Sequence, residues 1–183
     1  MGLESTVTTI ERTGEAFELG DQLTIVGAKL RVGDVAPAFT LEHFDNAAQA
    51  MIAVSLNETE GKVRLLNVIN SLDTPVCHIE TRRWEQLRGD LPDGAVIYTI
   101  SMDLPFAQAR WQNAESVEHA SLSAHKNEQF GIDYGVLIKE WRLLQRAVFV
   151  IAPDGTIAYA DYVADQMTEP DYDKAVAAVK AAL

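Results

Sequence analysis

An α/β sandwich, a central sheet flanked by helices with a β-hairpin near its N-terminal end, is the fold class predicted for this chain. Three observations predict it. Residues 63–69, 95–101 and 147–151 are apolar runs without alternation, the pattern of strands covered on both faces. Segments with apolar residues near helical spacing follow the first two runs and close the chain: Val76, Ile79, Trp84 and Leu87; Leu104, Ala107, Trp111 and Ala114; Tyr172, Val176, Val179 and Leu183. Gly and Pro punctuate the joins between these segments, with no linker, repeat or low-complexity tract. One domain, residues 1–183, is expected, with 1–14 as an extension that carries no strong signal.

The elements follow in order. Residues 16–19 and 23–26 flank Gly20-Asp21-Gln22 and predict a hairpin. After the break at Gly33 and Pro37, a strand is expected from Phe39 to Leu41 and another over 50–56. The polar turn 58–62 leads into the first central strand, 63–69. Thr74 and Pro75 then predict a helix start, with Thr as N-cap and Pro in the first helical position. The loop 91–94 precedes the second central strand, 95–101, and Asp103 and Pro105 predict another cap and first turn. Residues 116–123 read as a connector, 126–131 as a short helix ended by Gly131, and 134–143 as a loop. The strand 147–151 turns at Pro153-Asp154-Gly155 and pairs with 156–163. Pro170 is expected to open the last helix. Strand, helix, strand, helix, hairpin, helix is the order of a thioredoxin-like fold.

Composition narrows the function. The 183 residues are 48% hydrophobic and 23% charged, as in ordinary globular proteins, and long enough for a sizeable core. A net charge of −12 repels phosphate backbones, so no nucleic acid is expected as a partner. No apolar run reaches the length of a membrane span, and no basic region precedes an apolar core as in a signal peptide. Met1-Gly2 with Thr6 matches a myristoylation pattern in form, but Glu4 makes it a poor match. One cysteine cannot form an internal disulfide, which fits a reducing, cytoplasmic setting.

That cysteine, Cys77, falls where a strand ends and a helix begins. The first-turn N–H groups there have no intrahelical partner, and with the helix dipole they favour thiolate over thiol. A lone cysteine is otherwise often a small buried hydrophobe. His43, His119 and His125 lack metal-ligand spacing, and His78, next to Cys77 on the helix, does not face it. Trp84 and Trp111 read as core.

Several stretches together resemble the thiol peroxidase (Tpx-type) branch of the peroxiredoxins. They are Val32-Gly33-Asp34-Val35-Ala36-Pro37-Ala38-Phe39-Thr40-Leu41, Asp73-Thr74-Pro75-Val76-Cys77, and Asp103-Leu104-Pro105-Phe106-Ala107-Gln108. Tyr134-Gly135-Val136, Arg146-Ala147-Val148-Phe149-Val150-Ile151 and Thr168-Glu169-Pro170-Asp171-Tyr172 complete the set. The resemblance implies that Cys77 is a peroxidatic cysteine whose thiolate attacks a peroxide and becomes sulfenic acid. It implies that the Thr74 hydroxyl bonds thiolate and peroxide, and that Arg146 supports both. It also implies hydrogen peroxide and organic or lipid hydroperoxides as substrates, a homodimer, and no cofactor, because sulfur does the redox work.

Two departures shape the expectations. The family's fingerprint begins with Pro where this chain has Asn70, which restores an N–H donor and predicts a wetter pocket or a differently set loop. Where most members carry a resolving cysteine, this chain has Trp111-Gln112. The sulfenic acid must then be reduced by an external thiol: a small thiol, a thioredoxin-like protein, or Cys77 of another subunit. The alternatives are a non-catalytic thioredoxin-fold binding protein and a peroxide sensor that hands its oxidation to a partner.

Overall fold

The structure is a computed structural model and describes residues 9–183. The Met1-Gly2 pattern and the first eight residues of the expected extension lie outside the described residues. Strand β1 (Glu11–Glu18) already includes residues 11–14, and it pairs antiparallel with β2 (Asp21–Val26) in the expected hairpin. Its turn is Leu19-Gly20, both left-handed (φ 50° and 92°), a geometry that matches the twist of two paired strands. Gly20 takes it freely.

Strands β3 (Thr40–Asp45) and β4 (Ala50–Ser55) form a second hairpin. Then come β5 (Arg64–Val68), α1 (Pro75–Leu87), β6 (Val96–Ser101), α2 (Pro105–Glu115) and β7 (Ala120–Ser123). Helix α3 (Gln129–Asp133) precedes the two-residue strands β8 (Leu137–Ile138) and β9 (Leu143–Leu144). Strands β10 (Ala147–Ile151) and β11 (Ile157–Tyr162) and helix α4 (Tyr172–Ala181) complete the chain. The main sheet runs β11-β10-β5-β6-β7-β3-β4, with β5, β6 and β7 parallel and the other neighbours antiparallel. A smaller sheet runs β1-β2-β8-β9.

Both faces of the central strands are covered, which is why their sequences do not alternate. On one face Leu66, Val68, Ile100 and Phe149 meet Phe39, Phe130 and Tyr134. On the other Leu65, Val148 and Val150 meet Trp84 of α1 and Ala175 and Val179 of α4. Trp84 is fully buried, and cutting it to Ala should cost about 3–5 kcal/mol.

Four local expectations change. The connector 116–123 contains β7, whose small polar Ala-Ser-Leu-Ser sequence becomes a strand only by parallel pairing beside β6. The loop 134–143 contains β8, which exists because β2 offers it an edge. Helix α3 starts at Gln129 and runs past Gly131 to Asp133. Leu183 and Ile79, expected on buried faces, are exposed.

Candidate active site

The register of two antiparallel strands creates the site. Ala147 of β10 pairs with Val68 of β5, so Arg146 arrives beside the end of β5, where the chain leaves the sheet toward α1. Thr74 is extended (φ −91°, ψ 143°) at the N-cap position of α1, and Pro75 follows in the first turn, as expected. The Thr74 side chain is not the cap, however. Its hydroxyl donates to Ser71 O at 2.8 Å and turns the loop, and it makes no bond to the sulfur. The loop is also held from β6: Asp103 accepts from Ser71 Oγ (2.7 Å), from Leu72 N (2.9 Å) and from Ser101 Oγ (2.7 Å). Asp103 is thus a loop anchor, and Leu104 occupies the N-cap position of α2.

Cys77 is fully buried. On one side it packs with Ile69, Leu72, Trp111 and Val117. On the other, Arg146 Nη1 donates to Sγ at 3.4 Å, and Sγ lies 3.9 Å from Asn70 Oδ1. The sulfur therefore sits behind a cleft and not at its mouth. The adjoining cleft, about 410 Å³, is lined by Asn70, Thr74, Pro75, Val76, Arg146, Gln166 and Met167, by Trp141 and Leu143, and by Glu18 and Leu19 of the hairpin. The left-handed hairpin turn carries Leu19 to it, and the β8–β9 turn carries Trp141. The chain after β2 and the chain before β8 pass too close for a side chain at Gly27 or Gly135: a Cβ there would clash with a backbone oxygen, of Ile132 or of Ala28.

Arg146 is fixed by partners that sequence reading did not supply. Nη2 donates to Gln166 O at 2.8 Å, and Arg146 N donates to Gln166 Oε1 at 2.9 Å. Phe17 of β1 bonds the chain on both sides of Asp165, accepting from Gln166 N and donating to Ala164 O, each at 2.8 Å. Nη1 also donates to Glu80 Oε2, and both side chains are buried. Burial pushes Glu80 up to about 8, against the pull of Arg146. Burial opposes the Arg146 charge, but Glu80 and Cys77 outweigh it and raise its pKa. One guanidinium thus faces two acids. At Glu80 burial prevails over that guanidinium.

Cys77, Glu80, Thr81 and Trp84 form the buried face of α1, at i, i+3, i+4 and i+7. That spacing was available in the sequence, hidden because two of the four residues are polar. Similarly, α2 buries Gln108, Ala109 and Gln112 beside Trp111, the one buried member of the expected stripe, whose Leu104 and Ala114 are exposed. His78 turns from the sulfur. Its Nδ1 accepts from Trp111 Nε1 at 3.1 Å, and its Nε2 lies 3.7 Å from Glu115. Asn70 is 5% exposed, and its amide bonds Leu144 O and Gln166, which ties the loop to β9 and to the chain ahead of α4.

A buried sulfur under a guanidinium, at a strand-to-helix junction of a thioredoxin-like sheet, defines a thiol-centred redox site. Residues 32–160 match the AhpC/TSA family, and the chain belongs to it, in its thiol peroxidase branch. It is 47% identical over 163 residues to a thiol peroxidase of Streptococcus sanguinis, covering 88% of this chain and 96% of that one. It is 43% identical over 163 residues to the thiol peroxidase of Bacillus subtilis, covering 88% and 94%. A crystal structure of a peroxiredoxin-like protein from Aquifex aeolicus superposes with a TM-score of 0.82 at 31% identity, covering 96% of this chain and 99% of that one. The chain's one cysteine leaves it without a resolving partner.

Proposed function

We propose that this chain is a thiol-dependent peroxidase that works through Cys77 alone, with Thr74 and Arg146 as its other catalytic residues. The observation that carries this is the Arg146 Nη1–Sγ contact at 3.4 Å beside an open cleft. An arginine stays charged and can donate to sulfur and to a peroxide oxygen, so negative charge is met on both sides of the O–O bond. The sulfur attacks the distal oxygen, the S–O bond forms and the O–O bond breaks. The departing hydroxide or alkoxide takes a proton from solvent and leaves as water or alcohol, and Cys77 becomes sulfenic acid. Thr74 lines the cleft. Having donated its own proton to Ser71, its oxygen is free to accept from the peroxide O–H.

The apolar part of the cleft, above all Val76, Leu143 and Trp141, suits organic and lipid hydroperoxides as well as hydrogen peroxide. An external thiol, small or on a thioredoxin-like protein, completes the cycle. The single unpaired cysteine supports a cytoplasmic setting. A homodimer through the face that exposes Leu104 and Phe106, whose ring lies 5.3 Å from that of Phe44, is part of the same reading. Sedimentation of the protein and of Phe106→Asp tests it.

One stoichiometric addition of peroxide followed by intact mass should add a single oxygen at Cys77, and a thiol should remove it. No added oxygen rejects the proposal. Complete burial of the sulfur favours one second reading, a peroxide sensor, which would oxidise as fast but fail to turn over with any thiol.

A further inference from the structure

Asn70 stands where the family's fingerprint has proline, and its amide has one orientation. Nδ2 donates to Leu144 O at 2.6 Å and to Gln166 Oε1 at 3.0 Å, using both hydrogens. Gln166 is equally committed: Oε1 also accepts from Arg146 N, and Nε2 donates to Val163 O at 2.9 Å and to Ala164 O at 3.3 Å. Turning either amide over would set oxygen against oxygen. Asn70 Oδ1 is thus aimed at Cys77 Sγ, 3.9 Å away, with both side chains buried.

A carbonyl oxygen opposes a bare thiolate, since acceptor faces anion, and accepts only from the protonated sulfur. It suits what the thiolate becomes. Once the sulfur has taken the distal oxygen, Cys77 carries an S–O–H group, and the added oxygen closes the gap to Oδ1. We propose that Asn70 Oδ1 accepts the proton of the Cys77 sulfenic acid, with Gln166 as the positioning residue that holds the amide in place. This rests on the peroxidase reading of Cys77.

The chemical consequence is protection. Overoxidation runs through the sulfenate: its sulfur attacks a second peroxide, a second S–O bond forms, the O–O bond breaks, and the departing hydroxide or alkoxide takes the proton of the transferred oxygen and leaves as water or alcohol; the product is sulfinate, which common thiols do not reduce. A hydrogen bond to the neutral form disfavours ionisation and so slows that route. Reduction is not blocked. An incoming thiolate attacks the Cys77 sulfur, an S–S bond forms, and the oxygen leaves as hydroxide and takes a proton to become water. A chain with one cysteine must wait for an outside thiol, so a sulfenic acid that keeps its proton is worth having. Among the described residues, the charged groups facing the sulfur are Arg146 from the start of β10 and Glu80 of α1. From α2 only Trp111 packs against it, with Nε1 engaged by His78.

The test is a peroxide titration of the reduced protein and of Asn70→Leu, read by intact mass as the dose that leaves half of Cys77 as sulfinate. Asn70→Leu should need about five- to tenfold less peroxide, the loss of one hydrogen bond. Its overoxidation should also begin at lower pH than in the parent protein. Equal doses overturn the proposal. So does a lower dose with an unshifted pH profile, the mark of a merely loosened loop. If Asn70→Leu does not fold, Gln166→Met is read instead and should shift both quantities in the same directions. If the parent protein gains no oxygen at all, the peroxidase reading has failed, a result distinct from these.

Discussion

Helix α1 carries two buried polar networks, and they behave in opposite ways. At its N-terminal end, Glu80 faces Arg146, with Cys77 and Gln166 on the same guanidinium. Further along, Glu85 Oε2 accepts from His119 N (3.1 Å) and meets His119 Nδ1 at 2.6 Å. His119 Nε2 lies 2.9 Å from Thr99 Oγ1, which accepts from Asn67 at 3.1 Å. Carboxylate, imidazole and hydroxyl in line resemble a hydrolytic relay. Yet Thr99 is fully buried and does not line the cleft beside Cys77. Burial pushes Glu80 up to about 8. At Glu85 burial also acts against the charge, but the hydrogen bonds from His119 overcome it and hold the group at about 2. Two glutamates five residues apart thus differ because one is fully enclosed and the other keeps an exposed edge and better donors. Such a network does chemistry only where it meets a nucleophile and a cleft, and elsewhere it fastens a helix to a sheet.

The comparison can be broken at its strongest point first. Cys77→Ser should lower thiol-dependent peroxide consumption by at least about a thousandfold, because an alcohol replaces an ionisable nucleophile. Survival of the activity would move the chemistry away from this network.

Glu80→Gln comes next. The Glu80 pKa stands near 8 in the folded protein and near 4.5 in the unfolded chain. Between those values the folded protein holds a proton that the unfolded chain has released, so stability must fall as pH rises across that window. Urea midpoints of the parent protein should record a loss on the order of a few kcal/mol from about pH 4.5 to about pH 8. The variant should be nearly flat there, and parallel curves would show Glu80 ionised alongside Arg146.

Arg146→Lys keeps the charge but loses the fork that reaches Gln166, Glu80 and sulfur together. Sulfenic acid formation, followed in stopped flow by intrinsic fluorescence, should slow about a hundredfold. The smallest effect sharpens the contrast from the other side. Glu85→Gln should lower stability by about 1–3 kcal/mol, the value of hydrogen bonds to a charged group, while the peroxide rate stays within about twofold. A large rate loss would join the two networks into one.

The central runs 63–69, 95–101 and 147–151 were legible because strands buried on both faces leave an unmistakable apolar record. The junction at Thr74, Pro75 and Cys77 was legible too, since helix starts have local chemistry. Glu80 and Gln166 were not. Glutamate and glutamine are usually exposed, and their partners stand far off in the chain: Arg146 for Glu80, Asn70 for Gln166. β7 and β8 were missed for the same kind of reason, being too short to declare themselves without a neighbouring edge.

What the residues determine unaided is local: which segments must be covered on both sides, where the one sulfur falls, and that no second sulfur can resolve it. What only the folded chain decides is orientation. Thr74 turns its hydroxyl to Ser71, Arg146 divides itself between an acid and a sulfur, and Asn70 presents an oxygen in place of a ring. Those choices depend on ångström-scale hydrogen-bond geometry between strands whose register is set by packing across the whole sheet, and no stretch of sequence contains that information.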